Sequence, residues 1–159
     1  MKYLMTLLIA ATLTMTACSK KTANDENNLS SAAHADENTN GDSDSGKAMG
    51  LQTIHFGYDA FTLDAAAKTT LKANAQIMKD KTSIKIQVEG HCDNRGGIQY
   101  NVALGEKRAN SVKKFLQSQG ISADRVTVIS FGKEKPIAMG DSEEAYAKNR
   151  RANFVITSR

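Results

Sequence analysis

The chain holds only two cysteines, Cys18 at the end of an N-terminal apolar segment and Cys92 far from it, so no disulfide framework can staple the fold. Stability has to come from a packed core. No CxxC spacing and no paired histidines are present, so nothing completes a zinc tetrahedron. His91, Cys92 and Asp93 are consecutive, and consecutive strand residues point to opposite faces, so the three cannot converge on one ion. A cysteine nucleophile needs a base within hydrogen-bond reach, and the remaining histidines, His34 and His55, offer none. The basic residues lack the aromatic interleaving of nucleic-acid binders. No catalytic apparatus and no cofactor motif is visible, and a non-enzymatic role is expected.

What is present begins with an export signal at residues 1–17. Lys2 supplies the positive region, and the apolar run from Leu4 to Leu13 is too short to span a bilayer as a helix. Thr16 and Ala17 before Cys18 read as a lipobox, with Met15 where such boxes most often have Leu. Cys18 is then the lipidated first residue of the mature chain, held in membrane lipid by its acyl chains. Ser19, rather than Asp, follows it, which for bacterial lipoproteins implies passage to the outer membrane, facing the periplasm. The competing reading is an ordinary secretory signal with an incidental cysteine.

Residues 19–50 are rich in Asn, Asp, Ser and Ala, hold no aromatic residue and carry six acids against three bases. Such a segment buries too little apolar surface to order itself, and 18–50 is expected to be a disordered tether. From Leu51 onward, 17 Lys and Arg face 11 Asp and Glu, a basic head of one domain over residues 51–159 that prefers polyanions. An exported lipoprotein meets cell-wall polymer rather than nucleic acid.

Within the head, Thr53–Phe56 predicts a short strand, followed by a turn at Gly57–Asp59. Asp64 opens a helix to about Lys79 with Ala67, Leu71, Ala75 and Met78 on its inner stripe. Ile84, Ile86 and Val88 alternate with Lys85, Gln87 and Glu89, the pattern of a strand buried on one face. A second helix follows Gly96 and Gly97, with Val102, Gly105, Ala109, Val112 and Leu116 facing inward, and stops at Gly120. Val126–Phe131 is a third strand, Ser142 caps a short helix over 143–148, and Ala152–Thr157 is a last strand. The order implies an α+β sandwich, a mixed four-stranded sheet with helices gathered on one face.

Continuing the strand's parity puts Cys92 on the core side and Asp93 on the exposed side, at a strand end where loops gather around ligands. Asn101, Leu104 and Arg108 share a face of the following helix. A small ligand with an ammonium and a carboxylate on one carbon would find Asp93 for the first and Arg108, in a fork of two hydrogen bonds, for the second. On spacing alone two plainer arrangements compete. Asp93 can pair with Arg108, or it can cap the turn through the Asn94 and Arg95 amides.

The run Gly90, His91, Asp93, Gly96, Asn101, Leu104, Arg108, Ala109 resembles the signature of the OmpA-like peptidoglycan-binding domain, and the resemblance extends from Leu51 to Thr157. It implies a site for the diaminopimelate of the peptidoglycan stem peptide, with ligand roles at Asp93 and Arg108 and a supporting role at Asn101. It adds Tyr58 and Asp59 from the turn Phe56–Asp59 as pocket residues, and Arg151, from the motif Asn149–Arg151, as a further candidate. Cys92 stands where the family usually has Thr, and a thiol poorly replaces a hydroxyl hydrogen bond. For lipid-anchored members the resemblance implies peptidoglycan and the Tol proteins, TolB first, as partners, and a part in envelope integrity and cell division. Two other readings stay open: a charge-driven wall adhesin without a specific pocket, and a lipid-anchored protein-docking module.

Overall fold

The structure, a computed structural model, describes residues 41–159. The signal, Cys18 and residues 19–40 of the expected tether lie outside the described residues.

The elements follow in the order β1 (Ile54–His55), α1 (Ala65–Asp80), β2 (Lys85–His91), α2 (Ile98–Ser118), a 3₁₀ turn (Ala123–Arg125), β3 (Val126–Gly132), α3 (Glu143–Asn149) and β4 (Arg151–Ser158). They form one four-stranded sheet ordered β1-β4-β2-β3, with β2 and β3 parallel and the other pairs antiparallel. This is the mixed α+β architecture that the element pattern predicts. Asp64 accepts from the Ala67 amide at 2.7 Å and starts α1 as an N-cap, and Ser142 does the same for α3 from Ala145 at 3.2 Å. Gly120, with φ of +92°, takes the left-handed turn that ends α2.

The core lies between α1, α2 and one sheet face. Leu71 and Met78 of α1, Val112 and Leu116 of α2, Ile86 and Val88 of β2, and Phe154 and Ile156 of β4 are all fully buried there. The α2 stripe departs from the apolar pattern, because Val102 is 39% exposed while Asn101 and Arg108 are buried. Two glycines explain how α2 comes so close to β2. A Cβ on Gly90 would fall 1.9 Å from the Gly105 carbonyl oxygen, and one on Gly105 would fall 2.3 Å from Ser130 Oγ. Only backbone against backbone fits there, and the contact delivers the next turn of α2, with Arg108, to the C-terminal end of β2.

Composition draws the head's boundary at Leu51, yet the folded unit already includes residues 41–50. β1 is so short that it pairs only Ala152 and Arg151 of β4, leaving the rest of that edge open. The N-terminal segment fills it. Ile156 N donates to Gly41 O and Ser43 N to Phe154 O, each at 3.0 Å. Ser43 Oγ donates to Asn153 Oδ1 at 2.8 Å, and Asp44 meets Arg151 Nε at 2.7 Å. Covering an open edge supplies backbone partners that apolar content does not reveal.

Candidate functional site

β2 ends at His91, and its register with β3 shifts between Gly90 and His91. Strand parity therefore stops predicting side-chain direction beyond that point. Asp93 is not on the exposed side: it is buried, 5% exposed, and lines the same cavity as Cys92. His91 turns to the other side of the sheet, stacked on Phe131 at 5.7 Å between ring centroids, with Glu89 Oε2 3.4 Å from its Nε2 but no hydrogen bond to either ring nitrogen.

The cavity holds about 220 Å³ and opens between the β1–α1 turn, the β2–α2 loop and the start of α2. Tyr58, Asp59, Cys92, Asp93, Asn101 and Arg108 all line it. The sequence-predicted residues thus come together, with Arg151 the exception. Arg151 is the first residue of β4 and lies on the sheet side of Asn153, bound to Asp44 and to the carbonyls of Asn149 and Lys135. Its neighbour Arg150, outside the strand, faces the site instead. Arg150 Nε donates to Phe56 O at 3.0 Å, Nη1 to Asp93 Oδ2 at 3.4 Å and Nη2 to Glu143 Oε1 at 2.7 Å. The alternation of Arg151 with Ala152 and Phe154 in β4 was the signal that could have separated the two arginines.

Arg95, not singled out by the sequence as a site residue, holds Asp93 most closely. Its Nη2 donates to Oδ2 at 2.7 Å, and its Nε and backbone amide donate to Oδ1 at 3.2 Å each. The Arg95 guanidinium lies 4.2 Å from the ring centroids of both Tyr58 and Tyr146. Of the two plainer arrangements for Asp93, the turn cap is realised through the Arg95 amide, and a direct pair with Arg108 is not among the ion pairs. Burial pushes the Asp93 carboxyl up, but the bonds and charges of Arg95, aided by Arg150, outweigh it and hold the group below its ordinary value.

Arg108 is fully buried. Its Nε donates to Ala60 O at 2.8 Å, Nη1 to His91 O at 2.8 Å and to Cys92 Sγ at 3.4 Å, and Nη2 to Gly57 O at 3.1 Å. A guanidinium has five donors, so one Nη2 hydrogen is left unassigned. The expected two-bond fork is therefore not standing ready; it forms only if the weak thiol contact is given up. No ion pair among the described residues involves Arg108. It is a buried cation without a paired carboxylate: carbonyl oxygens, the Cys92 thiol and the Phe56 ring, 5.2 Å away, face it, and the Asp93 and Asp59 charges offset its burial only in part, an arrangement that costs stability unless an anion arrives.

Cys92 donates its thiol to Asn101 O at 3.3 Å, and burial pushes its pKa up despite the nearby Arg108 charge, leaving a neutral thiol. Asn101 braces the loop, its Nδ2 donating to Arg95 O at 2.7 Å and Gly97 O at 3.1 Å. Asp59, with φ of +50°, is exposed at the mouth, accepts the Tyr100 hydroxyl and takes part in no ion pair. The cavity so presents one uncompensated cation, Arg108, one uncompensated carboxylate, Asp59, and a second carboxylate, Asp93, covered by Arg95.

The sequence pattern of the OmpA family matches residues 55–150. The peptidoglycan-associated lipoprotein of Haemophilus influenzae is 34% identical over 152 residues, covering 95% of this chain and 96% of that protein. The protein of the same name from Legionella pneumophila is 32% identical over 165 residues, covering 96% and 94%. The crystal structure of the peptidoglycan-associated lipoprotein from Burkholderia pseudomallei superposes with a TM-score of 0.64 at 35% identity, covering 66% of this chain and 89% of that one.

Proposed function

Because the chain belongs to the OmpA family, we propose that it is a non-enzymatic, peptidoglycan-associated lipoprotein that binds the free amino-carboxylate end of stem-peptide diaminopimelate. The observation that carries this reading is the buried Arg108, without a paired carboxylate, at the floor of a cavity whose mouth offers Asp59 and whose wall holds Asp93. A ligand carboxylate compensates Arg108, taking its free Nη2 hydrogen and then an Nη1 hydrogen from the Cys92 contact. The ammonium sits between Asp59 and Asp93, where it competes with Arg95 for the Asp93 oxygens. Asn101 keeps the loop in place, and Tyr58 closes one wall.

Acylated Cys18 anchors the chain in the inner leaflet of the outer membrane, and residues 19–40 let the head reach at most about 75 Å from it. Wall binding at that distance couples membrane to peptidoglycan, with Tol proteins, TolB among them, as partners in the Tol-Pal system. A single stem contact is small and polar, and a repeating wall converts many of them into avidity.

Cosedimentation of the full-length protein with purified sacculi across a salt series tests the reading. Retention at about 0.5 M salt is expected from a desolvated pocket, whereas collapse there would assign binding to the diffuse charge of the basic head.

A further inference from the structure

α2 carries a second stripe beside the site. Tyr100, Ala103, Lys107 and Lys114 recur at three-, four- and seven-residue spacing, so they share one exposed face running away from the cavity. Phe61, 43% exposed, lies against it, with Lys107 Nζ 5.6 Å from the ring centroid. A small hollow of about 120 Å³ lined by Asp59, Phe61, Tyr100, Leu104 and Lys107 connects the main cavity to a larger groove of about 460 Å³ lined by Phe61, Lys107, Asn110 and Lys114. The three depressions share residues in sequence: Asp59, Tyr100 and Leu104 join the first two, and Phe61 and Lys107 join the last two.

We propose that this groove is a second subsite for the same stem peptide, in which Lys107, backed by Lys114, receives a further stem carboxylate while an aliphatic side chain rests on Phe61. The inference rests on the diaminopimelate reading. Charge and distance both favour this occupant. Glu106 is the one acid among the groove's lining residues, against two lysines, and neither lysine is in an ion pair among the described residues. From Asn101 to Lys107 the helix rises about 9 Å. In a stem peptide the next free carboxylates are the α-carboxylate of γ-linked D-glutamate and the terminal carboxylate of D-alanine. Each lies roughly 10 Å along the chain from the free end of diaminopimelate. Both present the same chemistry, and amidation tells them apart.

The test is calorimetric titration of the full-length protein with a stem tetrapeptide, with the same peptide amidated at the glutamate α-carboxylate, and with a third version amidated at the D-alanine carboxylate. A half-exposed ion pair is expected to contribute about threefold in affinity. One of the two amidations should lower affinity by that factor in the wild type and by nothing in Lys107→Met, with Lys114→Met intermediate. Equal affinity of all three peptides for the wild type overturns the groove and leaves the main pocket standing. So does an amidation loss of full size in Lys107→Met. Failure of the unmodified tetrapeptide to bind overturns both readings together.

Discussion

Arg108 joins the site to the fold, and truncating it separates a binding role from a structural one. In Arg108→Ala the carbonyls of Ala60, His91 and Gly57 lose their donors at once. The His91 carbonyl is buried, and leaving such an acceptor unpaired costs about 1–3 kcal/mol; the Ala60 and Gly57 carbonyls lie nearer solvent and lose less, and the lost contact with the Phe56 ring adds to the total. Water entering through the open cavity satisfies part of the loss, and removing an uncompensated buried cation returns some stability. A net destabilisation of about 3 kcal/mol follows. With a urea slope of roughly 1.5 kcal/mol/M for a domain of this size, the unfolding midpoint should fall by about 2 M. Urea titration followed by far-ultraviolet circular dichroism measures it, and an unchanged slope shows that the folded and unfolded states have kept their character. A shift under about 0.5 M would mean that Arg108 is a tenant of the pocket and not the clamp between the β1–α1 turn and the end of β2. Loss of wall binding in Arg108→Ala alone consequently says little about ligand contact.

Asp59→Asn is the cleaner binding variant: its side chain is exposed and bonds only to Tyr100, so affinity for a diaminopimelate peptide should fall about tenfold, of the order of one charge-assisted contact, with the urea midpoint unmoved. Asp44→Ala leaves the 3%-exposed Arg151 without its carboxylate and should cost about 3 kcal/mol in the same urea assay, although residue 44 lies in a segment of polar, loop-like composition. The lowered value of Asp93 means that the unfolded chain takes up a proton first as pH falls, so its stabilising share is intact above about pH 4 and is lost below it; Asp93→Asn should flatten the acid limb of a stability profile there. Burial, with the Arg151 charge, holds His91 below its ordinary value against the pull of Glu89. Stability should therefore also drop as pH falls below about 6.5, and His91→Gln should remove that slope.

The helices and strands were legible because each has a buried apolar face with a regular period, and the Leu71 and Ile86 stripes lie where that period puts them. That Asp93 and Arg108 come to one cavity was legible through their resemblance to a motif, but their burial was not. A polar residue whose partners are carbonyls of distant loops looks in sequence like any surface charge. Arg150 was hidden for the same reason, since Asp93 draws on it only after the β2–α2 loop and the start of β4 meet, whereas Arg95 lies two residues from Asp93 and was read only through its amide. Residues 41–50 were assigned to the tether because apolar content was the criterion, whereas an open strand edge and the Arg151 guanidinium hold them.

In the proposed binding mode Arg108 receives a carboxylate borne on the same carbon as an ammonium. The most direct test is calorimetric titration of the full-length protein with a diaminopimelate-containing muropeptide, beside one in which the free diaminopimelate carboxylate is amidated. Saturable binding at one site per chain that vanishes on amidation is the expected result. Equal binding of both peptides, or no binding by a folded protein, would show that Arg108 does not receive the diaminopimelate carboxylate.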